Sequence, residues 1–131
     1  MASRGAGGDR GLAIASALLL CGCRDGADLQ VAQDQQGATF AVQPRSEGVQ
    51  NCIESVSVYP AAPDDAPPLW EISGGRSSDM CVTRLRYGEL PTGFGATKAA
   101  PALQPGRSYR VLVTGAGFSA ATRFERAPPR Q

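Results

Sequence analysis

The sequence predicts an all-β domain, a small sandwich or barrel of about seven short strands. Three observations carry that expectation. Apolar and polar residues alternate with period two in segments that recur about every ten to fifteen residues after position 38. The stretches between them hold the turn formers, with 16 Gly and 10 Pro in 131 residues. Beyond the N-terminal stretch, no segment sustains the 3.6-residue apolar period of an amphipathic helix.

The N-terminal stretch stands apart from this pattern. Arg4 and Arg10 precede an apolar run from Leu12 to Leu20, and small residues follow. Basic flank, apolar segment and small residues are the three parts of an export signal. The run is about half the ~20 residues that a spanning helix needs. Residues 1–22 are therefore read as a signal peptide. Residues 23–37, polar and rich in Gln, Asp and Gly, read as a tether, although Leu29 and Val31 offer the start of a strand.

The β-sandwich domain is expected over residues 38–126. Thr39-Phe40-Ala41-Val42 is a short strand stopped by Pro44. Ile53 to Tyr59 alternates, with Val56 and Val58 facing the core and Ile53 sharing the opposite face with Ser55 and Ser57. Pro60 ends it, and Ala61 to Pro68, with three prolines and two acids, is a rigid loop. Leu69 to Ser73 places Trp70 and Ile72 together, and Gly74-Gly75 closes it.

Cys81 to Tyr87 has the cleanest alternation: Cys81, Thr83, Leu85 and Tyr87 on one face, Val82, Arg84 and Arg86 on the other. Gly88 to Gly95 is a Pro/Gly turn region carrying Phe94. Ser108 to Thr114 groups Tyr109, Val111 and Val113. Gly115-Ala116-Gly117 is a hairpin turn, and Phe118 to Arg126 returns as the last strand. The tail, residues 127–131, holds two prolines and is expected to be disordered.

Two resemblances narrow this reading. Leu20-Cys21-Gly22-Cys23 resembles the lipobox of bacterial lipoproteins: Leu three places before the modified Cys, a tolerant position, a small residue, then the Cys. In that register Cys23 is the lipidated residue, since Cys21 would have Leu20 where the family requires a small side chain. The resemblance implies a diacylglyceryl thioether on Cys23, cleavage before it, and acylation of its amine. Two or more chains hold stably, at ~0.8 kcal/mol per buried methylene. Arg24, in place of the Asp that retains enterobacterial lipoproteins in the inner membrane, favours the outer membrane facing the periplasm. An ordinary signal cut nearby, giving a soluble periplasmic protein, is the alternative.

Leu103-Gln104-Pro105-Gly106-Arg107-Ser108-Tyr109-Arg110-Val111-Leu112-Val113 resembles the run before and along strand F of fibronectin type III and other immunoglobulin-like domains. It implies an immunoglobulin-like β-sandwich in which Tyr109 forms a corner, its hydroxyl bonded to upstream backbone. Where immunoglobulin domains have a Cys two residues after this Tyr, the chain has Val111, so any bridge lies elsewhere. The chain as a whole is similar to small Gram-negative lipoproteins of uncharacterised function.

With Cys21 removed and Cys23 acylated, Cys52 and Cys81 remain as an even pair in an oxidising compartment. They are expected to form a disulfide. A zinc site lacks partners, and a redox pair would show a C-x-x-C spacing.

Charge and chemistry exclude several classes. Thirteen basic residues, twelve of them Arg, face twelve acids, and there is no His. From Cys23 onward, eleven of each sign remain. Residues 23–75 are acidic and 76–131 basic, a split that interleaved strands spread over one surface. No nucleic-acid footprint appears. Without His, Ser-His-Asp and Cys-His arrangements are impossible. Asp64-Asp65 is a loop pair, Asp25, Asp28 and Asp34 lack calcium-loop spacing, and Gly115-Ala116-Gly117 joins strands, unlike a phosphate loop. No catalytic residue, metal or cofactor is expected.

Two surface features are candidate binding elements. Arg84 and Arg86, joined by Arg110, would line one sheet face and meet an acidic partner. Phe94 would sit at a loop tip, or fold inward and cap the core. The function expected is a non-enzymatic structural or interaction module of the envelope, anchored through Cys23 and meeting an envelope protein. The alternative is a periplasmic domain that binds a small ligand or peptide.

Overall fold

Two antiparallel sheets face each other across one apolar layer in a computed structural model that describes residues 27–48, 50–75 and 80–129. The signal segment, Cys21, Cys23 and the last two residues of the tail lie outside the described residues. Among the described residues there are eight strands and no helix. They are β1 (Ala27–Asp34), β2 (Gly37–Pro44), β3 (Ile53–Pro60), β4 (Trp70–Gly74), β5 (Arg84–Arg86), β6 (Phe94–Ala96), β7 (Ser108–Gly115) and β8 (Phe118–Glu125). One sheet has the order β1-β2-β5, the other β6-β4-β3-β7-β8. The all-β sandwich read from the sequence is the observed class.

The core is built by alternation. Ala38, Phe40 and Val42 point inward from β2 and Leu85 from β5. Val56 and Val58 from β3, Trp70 and Ile72 from β4, and Tyr109, Val111 and Val113 from β7 meet them. Burying each large apolar side chain contributes ~1.5–3 kcal/mol. Phe124 closes the β8 side, with Phe40 and Tyr109 ring centroids 5.9 and 5.7 Å away.

Four local expectations are corrected. The first concerns the tether: residues 27–34 are a full strand, paired residue by residue with β2 from Ala27↔Pro44 to Asp34↔Gly37. Its polar composition belongs to a two-faced strand. Ala27, Leu29 and Val31 face the core while Asp28, Gln30 and Ala32 face outward. The sandwich thus includes residues 27–34, ahead of the expected start at residue 38.

The second concerns β3. Strict alternation sets Ile53 against Val56, yet both are buried. The register against β7 slips between Ile53 and Ser55, and this bulge switches the phase of the strand so that both point inward.

The third concerns the strand expected over Cys81 to Tyr87. Its ladder spans Arg84–Arg86, extended by one bond at each end, Val42 N–H to the Thr83 carbonyl at 2.9 Å and Tyr87 N–H to the Ala38 carbonyl at 2.8 Å. Val82 instead gives its carbonyl to Ile53 N–H, in the other sheet, at 2.7 Å. The chain is crossing between sheets there, which ends the ladder.

The fourth is β6. The Gly88–Gly95 turn region delivers Phe94 to an edge strand paired with β4, Gly74 opposite Phe94. At the other end of the sheet, Ala116-Gly117 forms the β7–β8 turn, with Gly117 at φ 82°. A Cβ at Gly115 would overlap the Cys52 carbonyl oxygen and the Phe118 ring, so this position admits only Gly.

Candidate functional site

The two cysteines expected to pair do so. Their Sγ atoms are 2.00 Å apart and their Cα atoms 5.0 Å. Cys52 precedes β3 and Cys81 leads toward β5, so the bridge ties one sheet to the other beside the Ile53–Val82 bond.

The arginine cluster expected on one face is divided. Arg84 and Arg86 project from β5 in the three-stranded sheet, and Arg110 from β7 in the five-stranded one. The outer faces of a sandwich point in opposite directions, so Arg110 does not join the pair. Arg86 is occupied within the fold. Its Nη2 and Nη1 donate to Asp34 Oδ2 and Oδ1 at 3.0 and 3.3 Å, and its Nε lies 3.9 Å from Glu89. The Arg86 hydrogen bonds, followed by that of the Gln36 N–H, hold the Asp34 carboxyl at about 2, against 3.8 ordinarily. Asp34 in turn raises the Arg86 pKa. Arg84 is exposed and has no partner among the described residues.

Phe94 is not at an exposed tip. It is buried in the core cluster, with Gly75 packed near its ring, so the aromatic binding candidate becomes a core residue. Leu90, half exposed, is the apolar side chain that the same loop presents to solvent.

The concavity with the clearest chemistry lies on the outer face of the five-stranded sheet, around Arg110, which was expected beside Arg84 and Arg86 instead. Cross-strand register builds it. Tyr59 of β3, Arg110 of β7 and Arg123 of β8 form one rung; Ser57, Leu112 and Ala121 form the next. All of these but Ser57 line a groove of about 410 Å³. The Arg110 guanidinium carbon sits 4.7 Å from the centre of the Tyr59 ring, a cation–π stack. Arg110 Nη2 donates to the Asp64 carbonyl at 3.3 Å, and its Nε is buried without an acceptor. Arg123 is exposed beside it.

Alternation in β7 and β8 makes Arg110, Leu112, Ala121 and Arg123 outward residues, and the two-residue turn fixes Arg110 opposite Arg123. That part was readable from the sequence. The placement of Tyr59 was not, because the β3–β7 pairing joins distant segments across a bulge.

A second concavity lies at the same end of the sandwich as that rung, just past the end of β8, lined by Gln33, Asp34, Leu103, Pro105, Arg126 and Pro128 among others. Its polar groups are engaged with one another, as the Gln33 and Arg126 bonds show. No cluster of three or more His, Cys, Asp or Glu side chains suited to a metal occurs among the described residues. Comparison with family models, curated proteins and solved structures found no match.

Proposed function

We propose that this chain is an exported, lipid-anchored envelope protein whose β-sandwich serves as a non-enzymatic interaction module. The observation that carries the reading is the run Leu20-Cys21-Gly22-Cys23 behind a basic and apolar N-terminus. The Cys52–Cys81 pair at bonding distance supports an oxidising compartment such as the periplasm. An immunoglobulin-like identity draws support from the bond between the Gln104 N–H and the Tyr109 hydroxyl, 2.8 Å long, which is the corner the sequence run implies.

On this reading, anchor and domain lie close together. Ala27 follows Cys23 by four residues, a reach of at most about 14 Å at the extended-chain limit. The end of the sandwich that carries Ala27 and the disulfide would then sit nearest the bilayer. The Tyr59–Arg110–Arg123 rung lies toward the other end, beside the last residues of β3 and β8. A second reading, a periplasmic domain that binds a peptide or small ligand, draws on the same groove.

Mass spectrometry of the membrane fraction tests the anchor. The expected N-terminus is an acylated Cys23, and Cys23→Ser should release the protein from membranes. A free N-terminus at another residue overturns the anchor. In-cell photocrosslinking scanned over the outer-face positions of both sheets tests the interaction role. Discrete adducts with envelope proteins are expected, and silence at every position overturns it.

A further inference from the structure

We propose that the Tyr59–Arg110–Arg123 groove docks an extended acidic segment of a partner protein, with a carboxylate between the two arginines and an apolar side chain on Leu112 and Ala121. This rests on the reading of the domain as an interaction module and names the chemistry of its partner.

Arg110 and Arg123 are directly opposite each other on neighbouring strands. Like charges in that position repel, and the sheet is less stable for it. The fold supplies counterions elsewhere: Arg45 binds Asp28 at 2.6 Å, and Arg86 binds Asp34 at 3.0 Å. Neither Arg110 nor Arg123 forms an ion pair among the described residues. Asp64 meets Arg110 through its backbone carbonyl, and Glu125, two residues along β8, makes no bond to Arg123. An incoming carboxylate would supply the missing charge to both.

Arg110 is also preorganised. Stacking on Tyr59 and the bond to Asp64 hold the Arg110 guanidinium in place, while its Nη1 has no acceptor among the described residues. A guanidinium already fixed loses little freedom on binding. Its planar fork suits a carboxylate.

The floor of the groove suits a peptide better than a small anion. Next to the charged rung are Leu112 and Ala121, apolar side chains on the outer face of a sheet. A free anion would leave that floor in water. A peptide lying across the strands covers it with one side chain while a neighbouring acid reaches the arginines.

The test uses the full chain in a non-ionic detergent and a fluorescein-labelled octapeptide of alternating glutamate and leucine, followed by anisotropy. Binding is expected, and it should weaken with salt. Arg123→Gln should weaken it at least about five-fold, and the Arg110→Gln/Arg123→Gln pair should abolish it. Arg84→Gln, on the opposite face, should leave it unchanged. Arg123→Gln relieves repulsion, so its melting temperature should equal or exceed wild type, which separates lost binding from lost folding.

Four results would overturn the proposal: no binding, equal binding of the glutamine-for-glutamate peptide, equal loss in Arg84→Gln and Arg123→Gln, or displacement of the peptide by an equimolar amount of free glutamate. The last would make the groove a small-anion site. Acylation of Cys23 is read by mass and is independent of all four.

Discussion

The Gln33 carboxamide accepts a hydrogen bond from Arg126 Nη1 at 3.3 Å, across the gap between the two sheets. The same carboxamide accepts from the Ala127 N–H at 2.9 Å and donates to the Glu125 carbonyl at 2.9 Å. One side chain therefore pairs with backbone on both sides of Arg126, as a neighbouring strand would. Arg126 returns the contact, donating to the carbonyls of Asp34, Gln35 and Gly37 at 3.0, 3.3 and 3.3 Å. The seam between β1 and β8 is closed by side chains standing in for ladder bonds. Edge backbone that could recruit another chain is covered in the process.

Removing either partner should loosen that seam. Arg126→Ala is expected to cost ~2–3 kcal/mol, because several charge-assisted bonds to carbonyls are lost together. Gln33→Ala should cost ~1–2 kcal/mol. Since the two share one network, the double variant should cost less than the sum. Urea denaturation of the three variants measures this, and strict additivity would show that the two act separately.

Tyr109→Phe isolates the corner bond. The ring remains packed near Phe124, while the Gln104 N–H loses its acceptor. A loss of ~1–2 kcal/mol is expected in chemical denaturation. Amide exchange at Gln104 should accelerate more than at Val111, which is bonded within the sheet.

Much of this structure was legible in the sequence because period-two alternation is a local signal. Phe40, Val42, Trp70, Ile72, Tyr109, Val111 and Val113 are buried as their spacing requires. What was hidden depended on pairing between distant segments. Residues 27–34 read as polar linker because half of a two-faced strand is polar, and only the β2 ladder reveals the other half. Ile53 was set on the wrong face because a bulge has no composition of its own. Arg84, Arg86 and Arg110 share a strand pattern, yet nothing local tells which sheet each strand joins. The groove followed the same rule: Arg110 opposite Arg123 is a consequence of a short turn, whereas Tyr59 beside them is a consequence of topology.

The disulfide should act chiefly on the unfolded chain. Cys52 and Cys81 are 29 residues apart, and closing such a loop removes ~3–4 kcal/mol worth of unfolded-state entropy. The Cys52→Ala/Cys81→Ala variant should lose about that much, a large part of a small domain's stability. Urea curves of wild type with and without reductant should differ by the same amount, and coincident curves would remove the bridge from the stability of the domain.

Acid should act through Asp34. Its carboxyl titrates at about 2 in the folded chain, held there first by the Arg86 side chain and next by the Gln36 N–H, against 3.8 in an unfolded one. On acidification the unfolded state takes up the proton first. The stabilisation from Asp34 is therefore whole above pH 3.8 and drains away as the pH falls toward 2. Asp34→Asn should be less stable than wild type near neutral pH, with the gap narrowing through that window as the wild-type carboxylate becomes neutral. Arg86→Gln should flatten the same part of the curve by removing the largest cause of the shift. Melting temperatures of the three proteins across that pH window decide it: a gap that stays constant as the pH falls would mean that the Asp34 carboxylate is not held by Arg86 in solution.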